Sequence, residues 1–197
     1  MIILDEIKTI PEVSVLLNIM HLFSSEVYEH CESVAKLSYE IVKNDKDFTE
    51  EEKKQVIIGA YLHDIGKILV PFNLTQSPRR LNANEFAIVK THTLIGYEML
   101  KEDFSDIVCN IALYHHEQPN GSGYVNSLPL SKIPREALLV QVADVYDALI
   151  SKRNYKSNYN SDTALAIMKN DSKNLKLDDE YLGRLQKIVT KDEDSSL

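Results

Sequence analysis

The chain has 197 residues, of which 44% are hydrophobic and 26% are charged, an ordinary composition for a folded globular protein. This length fits one domain with a short appendage and excludes a largely disordered chain. The formal net charge of −8 argues against a polymeric nucleic acid as partner, because a phosphate backbone attracts basic proteins. Apolar runs are too short for a membrane span, and the acidic start does not fit a signal peptide. We therefore expect a cytoplasmic protein with no membrane partner.

Helical periodicity begins near the N-terminus and continues through the first third of the chain. Apolar residues recur at three- and four-residue spacing in 11–23 and again in 25–43. Thr49 and Glu52 have the spacing of a capping box. The helix that they open is expected to continue to about Gly66.

The remaining chain is predicted to form further helices around one long irregular stretch. Loop residues fill 68–81, and a helix that begins at Asn82 runs toward Lys101 with a break near His92. Further helical runs cover 106–116, 134–151, 161–168 and 178–189. The stretch 119–134 is rich in Pro and Gly, and such a long loop in a compact domain is more often functional than idle.

No strand or internal repeat is predicted, so the expected fold is all-α, a compact helical bundle with room for a site in its interior. We divide the chain into a short N-terminal helical extension (1–24), a main domain (25–190) and a polar tail (191–197). Cys31 and Cys109 belong to no Cys-x-x-Cys pair, and we expect both to be buried free thiols.

Histidines and acids recur on several of these predicted helices. His63 and Asp64 are adjacent near the end of one helix, and His115 and His116 end another. Imidazole and carboxylate ligands together suit Zn, Fe and Mn, and two ions ~3.5–4 Å apart suit phosphoryl transfer. A helical bundle can collect such ligands from several helices.

Two more helices carry candidate ligands. Glu26 and His30 are four residues apart and share a helix face. Asp144 lies in an apolar stretch, where an acid is either paired or a ligand. Each residue also has an ordinary interpretation; Lys67, for example, is a favourable solvated charge near a helix C-terminus. Only their combination indicates a multi-metal hydrolytic site.

The order of these motifs resembles the HD-GYP subgroup of the HD phosphohydrolases over about residues 26–156. The resemblance rests on His63-Asp64-Ile-Gly-Lys67, His92, His115-His116-Glu117, Asn120-Gly-Ser-Gly-Tyr124 and Ala143-Asp144-Val-Tyr-Asp147. It implies a bundle of the HD-domain type that holds two or three divalent transition-metal ions, commonly iron and sometimes manganese. It also implies that the chain is the catalytic domain alone.

The implied reaction is hydrolysis of cyclic di-GMP to the linear dinucleotide and, after a second cut, to GMP. A metal-activated hydroxide would attack phosphorus. The expected partner is therefore a cyclic dinucleotide, and a homodimer or a signalling protein is left open as a further partner.

The resemblance also implies a role for each motif residue. The implied metal ligands are His30, His63, Asp64, His92, His115, His116 and Asp144, with Glu26 as the extra carboxylate of members that hold a third ion. Asp64 is the expected bridge between two ions and a catalytic residue, and Lys67 is the catalytic lysine beside the scissile phosphate. The implied substrate contacts are Gly123, Tyr124, Arg153 and Lys156.

The departures from the family pattern lie in the substrate region. Gly-Tyr-Pro reads Gly123-Tyr124-Val125 here, Asn120 replaces an aspartate, and Asn154 replaces a proline. No metal position is changed. Three functions remain open: a cyclic-di-GMP phosphodiesterase, an HD-type phosphohydrolase of another cyclic nucleotide, and a slow or non-catalytic sensor or interaction module.

Overall fold

Helices form where apolar residues recur at helical spacing. The computed structural model describes residues 4–151 and 159–194. Its eleven α-helices in these ranges are α1 (Leu4–Lys8), α2 (Pro11–Phe23), α3 (Ser25–Val42), α4 (Glu50–Leu62), α5 (Phe72–Thr75), α6 (Ala83–Lys90), α7 (His92–Leu100), α8 (Asp106–Tyr114), α9 (Arg135–Ile150), α10 (Ser161–Lys173) and α11 (Asp179–Asp194). Two short 3₁₀ segments, Ile65–Leu69 and Leu130–Lys132, complete the regular structure of these ranges. The described residues form no strand, and the predicted all-α class is confirmed.

The core lies between α3, α4, α8 and α9. Helix α3 packs against α4 and α9, and α4 packs against α8. Cys31, Val34, Leu62, Ile111 and Leu139 are fully buried among these helices. Burial of a side chain such as Leu or Ile contributes about 1.5–3 kcal/mol, so this packing fixes the relative positions of the helices that carry the histidines. None of the described helices is both long and apolar enough to cross a membrane.

The N-terminal segment shares this core. Ile7, Val13, Leu17 and Met20 are buried, and α2 packs against both α3 and α4. The short helix α1 is absent from the sequence prediction. The division at residue 24 stays a prediction, but the helices before it are packed into the same hydrophobic core as the rest.

Helix α4 ends earlier than the sequence predicts. Thr49 and Glu52 form the expected capping box, yet α4 ends at Leu62 rather than near Gly66. Asp64 has φ −101° and ψ 8°, outside the α-helical region, and a 3₁₀ segment follows it. The tighter turn brings Gly66 against the backbone of α7.

The other predicted boundaries hold within a few residues, with three differences. Asn82 and Glu85 form a capping box, and the predicted break near His92 separates α6 from α7. The predicted loop 68–81 contains the short helix α5, and α10 continues to Lys173, beyond the predicted end at 168. Helix α11 continues to Asp194, beyond the predicted end at 189 and into the segment predicted as a polar tail.

The close approach at Gly66 gives a stability prediction. An added Cβ would overlap the carbonyl oxygen of His92 and lie 2.6 Å from the nitrogen of Gly96. Because both atoms belong to the backbone of α7, the helix itself has to move. We expect Gly66→Ala to lower the free energy of unfolding by about 1–3 kcal/mol, measured by urea denaturation.

Gly183 provides the matched control. It lies within α11, and nothing lies within 4 Å of an added Cβ there. Gly183→Ala should raise the unfolding free energy by about 0.5–1 kcal/mol, because alanine restricts the unfolded chain. Equal stability of the two variants would contradict the close packing of Gly66 against α7.

Candidate metal centre

Five parts of the fold bring the predicted ligands together in the interior. They are α3, the turn after α4, the start of α7, the end of α8 and the middle of α9. The donor atoms form two groups, each with all atoms within 4.8 Å of one another. One group consists of Asp64, His92, His115 and His116, and the other of His30, His63 and Asp144.

The carboxylate of Asp64 lies between the two groups. Its Oδ1 is 3.3 Å from Nε2 of His92 and 3.9 Å from Nε2 of His115. Its Oδ2 is 3.5 Å from Nε2 of His63 and 4.0 Å from Nε2 of His30. One oxygen therefore faces each group, which is the arrangement that a carboxylate needs to bridge two ions.

Three histidines turn the same ring nitrogen toward Asp64. In His63, His92 and His115, Nδ1 lies 2.7–2.9 Å from the backbone carbonyl oxygen three or four residues earlier. When Nδ1–H donates to that oxygen, the lone pair of Nε2 is left free for a metal ion. The helix ends thus set both the tautomer and the orientation of these rings.

His30 is held differently, by two carboxylates. Its Nδ1 lies 2.6 Å from Oδ2 of Asp147, and its Nε2 lies 2.9 Å from Oδ1 of Asp144. Burial lowers the pKa of His30, but the hydrogen bonds with Asp144 and Asp147 outweigh it and raise the pKa to about 9. The sequence alone allows two roles for Asp147, a residue that orients a metal ligand or a solvated acid. The structure buries it against His30.

The other histidines favour their neutral form. Burial lowers the pKa of His92 to about 4 and that of His116 to about 3. It also lowers the pKa values of His63 and His115. Metal ions bind the unprotonated imidazole, so these four rings are in the state that a ligand requires at neutral pH.

Asp64 and Lys67 form an ion pair at the centre of the site. Burial raises the pKa of Asp64, but the Lys67 ammonium and the nearby imidazoles outweigh it and hold the pKa well below its usual range. Burial lowers the pKa of Lys67, and the Asp64 carboxylate outweighs that effect in turn. Lys67 therefore carries its charge beside the carboxylate that lies between the two groups.

Two unpaired atoms test whether a metal fits these residues. Nε2 of His63 and Oδ1 of Asp64 are buried and have no hydrogen-bond partner. An unpartnered buried polar atom is costly, and both of these atoms are metal donors within the clusters. Sγ of Cys31 also lies within 4.8 Å of donor atoms of both residues. The residues fit divalent transition-metal ions, for which imidazole and carboxylate are suitable ligands.

Glu26 stands apart from the other predicted ligands. It lies on α3 one turn before His30 and is partly buried. It belongs to none of the three groups of possible metal ligands that the described residues form. Its role as a carboxylate for a third ion stays a prediction.

The predicted substrate loop packs directly against the histidines. The Tyr124 ring lies 4.7 Å from the His116 ring, centroid to centroid, and the Tyr124 N–H donates to the carbonyl oxygen of His116 at 3.1 Å. A Cβ at Gly123 would lie 2.5 Å from that same oxygen, so only glycine fits this approach. The peptide bond between Tyr124 and Val125 is cis. Arg153, Lys156 and Asn154 lie outside the described residues.

Glu117 holds the predicted substrate loop in place, and the sequence analysis did not identify it as a functional residue. Its buried carboxylate accepts hydrogen bonds from the N–H groups of Asn126, at 2.5 Å, and Leu128, at 2.9 Å. Gln141 donates to its carbonyl oxygen. The one sequence signal was its place directly after His115 and His116, inside a motif.

Histidines and aspartates from several helices, with a lysine beside the central aspartate, define an all-α protein with an interior cluster that can hold metal ions. The family model described as an HD domain matches residues 14–181, and the chain belongs to the HD domain family.

The names of individual relatives refer to phosphodiesterases of cyclic dinucleotides. The cyclic di-GMP phosphodiesterase response regulator RpfG of Xanthomonas campestris pv. campestris is 41% identical over 131 residues, which are 65% of this chain and 35% of that protein. The 3′3′-cGAMP-specific phosphodiesterase 2 of Vibrio cholerae is 35% identical over 144 residues, which are 72% of this chain and 27% of that protein. The chain thus spans about a third of these relatives or less.

A solved structure shows the same fold. Bd1817, an HDG"Y"P protein from Bdellovibrio bacteriovorus, matches with a TM-score of 0.70 and 24% identity over 83% of this chain and 52% of that chain. Together with the family match, this confirms the resemblance inferred from the motifs.

The contact between Asp147 and His30 gives a prediction about metal affinity. Asp147→Asn removes the charge that holds the Nδ1–H of His30. Loss of such a partner behind a metal ligand costs about 10–100-fold in affinity. We expect this weakening for the ion of the His30 group, measured by metal content after titration with a chelator.

Asp45→Asn is the control for that experiment. Asp45 is also buried, and it pairs with Arg184 rather than with a histidine. This variant should keep the metal affinity of the parent even if it is less stable. Equal affinity of Asp147→Asn and the parent would refute the orienting role of Asp147.

The unpaired donor atoms predict that metal ions stabilise the fold. Mn(II) at 100 times its dissociation constant should add about 2.7 kcal/mol per site. For a chain of this size, this raises the melting temperature by about 5–10 °C, measured by calorimetry with Mn(II) and with EDTA. Asp64→Ala should lose most of the difference. Identical melting of the parent protein in both buffers would contradict a metal centre.

Proposed function

We propose that the chain is a metal-dependent phosphodiesterase that hydrolyses cyclic di-GMP to the linear dinucleotide and, in a second cleavage, to GMP. The position of Asp64 carries this proposal, since one carboxylate oxygen faces each of the two donor groups. Two ions held this way would lie on either side of one carboxylate. That arrangement suits phosphoryl transfer.

The charges of the site support a phosphate substrate only when ions are bound. Asp64, Asp144 and Asp147 put three carboxylates in or beside the clusters, which by themselves repel an anionic phosphodiester. Bound divalent ions reverse this local charge and supply a strong nucleophile at neutral pH.

The chain's own residues then have separate tasks. The histidines and Asp144 would hold the ions, and Asp64 would join the two groups. Lys67 has its ammonium beside Asp64, where a preorganised cation stabilises the charge that develops on the phosphoryl oxygens. Gly123 and Tyr124 pack against His116 and so form one wall of the site.

The remaining parts of the proposal follow from the relatives and the motifs. Relatives named for cyclic di-GMP and for 3′3′-cGAMP favour a cyclic dinucleotide. We propose iron as the resident metal, with manganese as a substitute, and Glu26 as ligand of a third ion. Arg153 and Lys156 are proposed contacts of the dinucleotide. A cytoplasmic location suits a nucleotide second messenger, and the proposal requires neither a second copy of the chain nor a signalling partner.

A mixed cyclic dinucleotide is the second candidate substrate. It is favoured by the relative named as specific for 3′3′-cGAMP, which covers 72% of this chain. Val125 also stands where the family has proline. This change alters the substrate loop and leaves the metal ligands intact.

A product assay tests both candidates. The protein is loaded anaerobically with Fe(II) or Mn(II), mixed with cyclic di-GMP and 3′3′-cGAMP in separate and competing reactions, and followed by chromatography. We expect the linear dinucleotide from cyclic di-GMP at the higher kcat/KM. Faster cleavage of 3′3′-cGAMP would make the mixed dinucleotide the substrate. No product from either, with two ions bound per chain, would favour a non-catalytic sensor.

Asp64 variants test the site assignment. Asp64→Ala and the nearly isosteric Asp64→Asn should each lower kcat by at least about 1000-fold, because both remove the charge between the two donor groups. Circular dichroism shows whether each variant is folded. Turnover that survives in a folded Asp64 variant would show that the reaction takes place elsewhere.

A further inference from the structure

A lysine and two aromatic rings form a surface beside the metal centre, and the proposed chemistry gives no task to the lysine or to one of the rings. Nζ of Lys90 lies 5.0 Å from the centroid of the Phe86 ring and 5.2 Å from that of Tyr124. The two rings meet edge to face, with centroids 6.2 Å apart and planes at 83°. We call Phe86, Lys90 and Tyr124 the α6 platform.

The α6 platform is continuous with the metal centre. The Tyr124 ring contacts the ring of His116, and its centroid lies 6.4 Å from that of His92. Lys90 is the last residue of α6, two residues before His92. A ligand bound at these histidines would therefore lie next to this surface.

Lys90 differs from Lys67 and Lys101 in charge pairing. Lys67 pairs with Asp64, and Lys101 pairs with Glu98 at 2.7 Å. Among the described residues, no carboxylate forms an ion pair with Lys90, and its contacts are the two rings. Its positive charge is available to an anion in a site built for an anionic substrate.

Phe86 is the second unusual feature of this surface. Its side chain is 44% exposed, although a large aromatic group is usually better buried. Aromatic faces stack on nucleotide bases, with about 1–3 kcal/mol per base, and a neighbouring cation suits a phosphate. An exposed ring beside an unpaired ammonium is therefore a combination that fits a nucleotide.

We propose that the α6 platform binds the half of the cyclic dinucleotide that is not being cleaved, with Lys90 on its phosphate and Phe86 against its purine. The inference rests on the proposed function. A cyclic dinucleotide has two phosphodiesters, and only one can occupy the metal centre beside Lys67. The second phosphate needs another cation, and Lys90 is an unpaired one next to the same histidines.

The test compares a substrate that has two phosphodiesters with one that has a single phosphodiester. Lys90→Met keeps the length of the side chain and removes its charge. We expect its KM for cyclic di-GMP to rise about 10-fold, equivalent to about 1.4 kcal/mol, with kcat changed less than about 3-fold. Hydrolysis of bis(p-nitrophenyl) phosphate should stay at the parent rate, because that diester has one phosphate and no purine. Phe86→Leu should give the same pattern with a smaller rise in KM.

Lys43→Met is the matched control. Lys43 also lies near an aromatic ring, 5.7 Å from the centroid of Tyr39, but it follows the end of α3. It is about 20 Å along the helix from His30. This variant should keep the parent kinetics for both substrates. Metal content and melting temperature are measured for every variant.

The outcomes distinguish this inference from the proposed function. If the parent protein cleaves the chromogenic diester but no cyclic dinucleotide, the proposed function fails. If it cleaves cyclic di-GMP and Lys90→Met has an unchanged KM, only the inference fails. Equal losses on both substrates would also overturn it, because Lys90 would then support the metal centre rather than the distant phosphate.

Discussion

The buried carboxylate of Asp64 is the interaction on which the rest of the structure depends. An ionised group in a protein interior is costly unless it is compensated, and Asp64 is almost completely buried. Compensation comes from the Lys67 ammonium and from imidazoles on both sides. The packing of α3, α7, α8 and α9 around one point is the physical means of bringing these partners to it.

The needs of fold stability and of metal binding are opposed at His63 and Asp64. His63 and Asp64 each keep one buried donor atom without a partner, which destabilises the metal-free fold and prepares a ligand. Bound ions would give both atoms a partner, so the free energy of metal binding would stabilise the folded state. The surrounding residues hold these ligands in fixed positions. Backbone carbonyl groups orient three imidazole rings, and Gly66 packs against α7. Glu117 holds the loop that carries Tyr124 through two hydrogen bonds.

The sequence alone identified structural and functional residues where the pattern that marks them spans only a few neighbouring positions. The capping residues Thr49 and Asn82 marked helix starts correctly, and adjacent motif residues such as His63 and Asp64 indicated a site. The same reasoning missed the end of α4, because the 3₁₀ turn is set by contact with α7. It also missed Glu117 and left Asp147 undecided, since either could be a solvated acid on a helix or loop. Phe86 and Lys90 have helical i, i+4 spacing, but nothing local related them to Tyr124.

The sequence by itself determined the all-α class, most helix starts and the residue types of the metal centre, because periodicity, capping and motif spacing act over a few residues. Only the tertiary structure decided that each oxygen of Asp64 faces a different donor group and that Asp147 holds His30. It also placed Lys90 over Tyr124. These contacts join distant segments; His30 and Asp147 are 117 positions apart. They depend on how helices pack against one another, and no local pattern specifies that geometry.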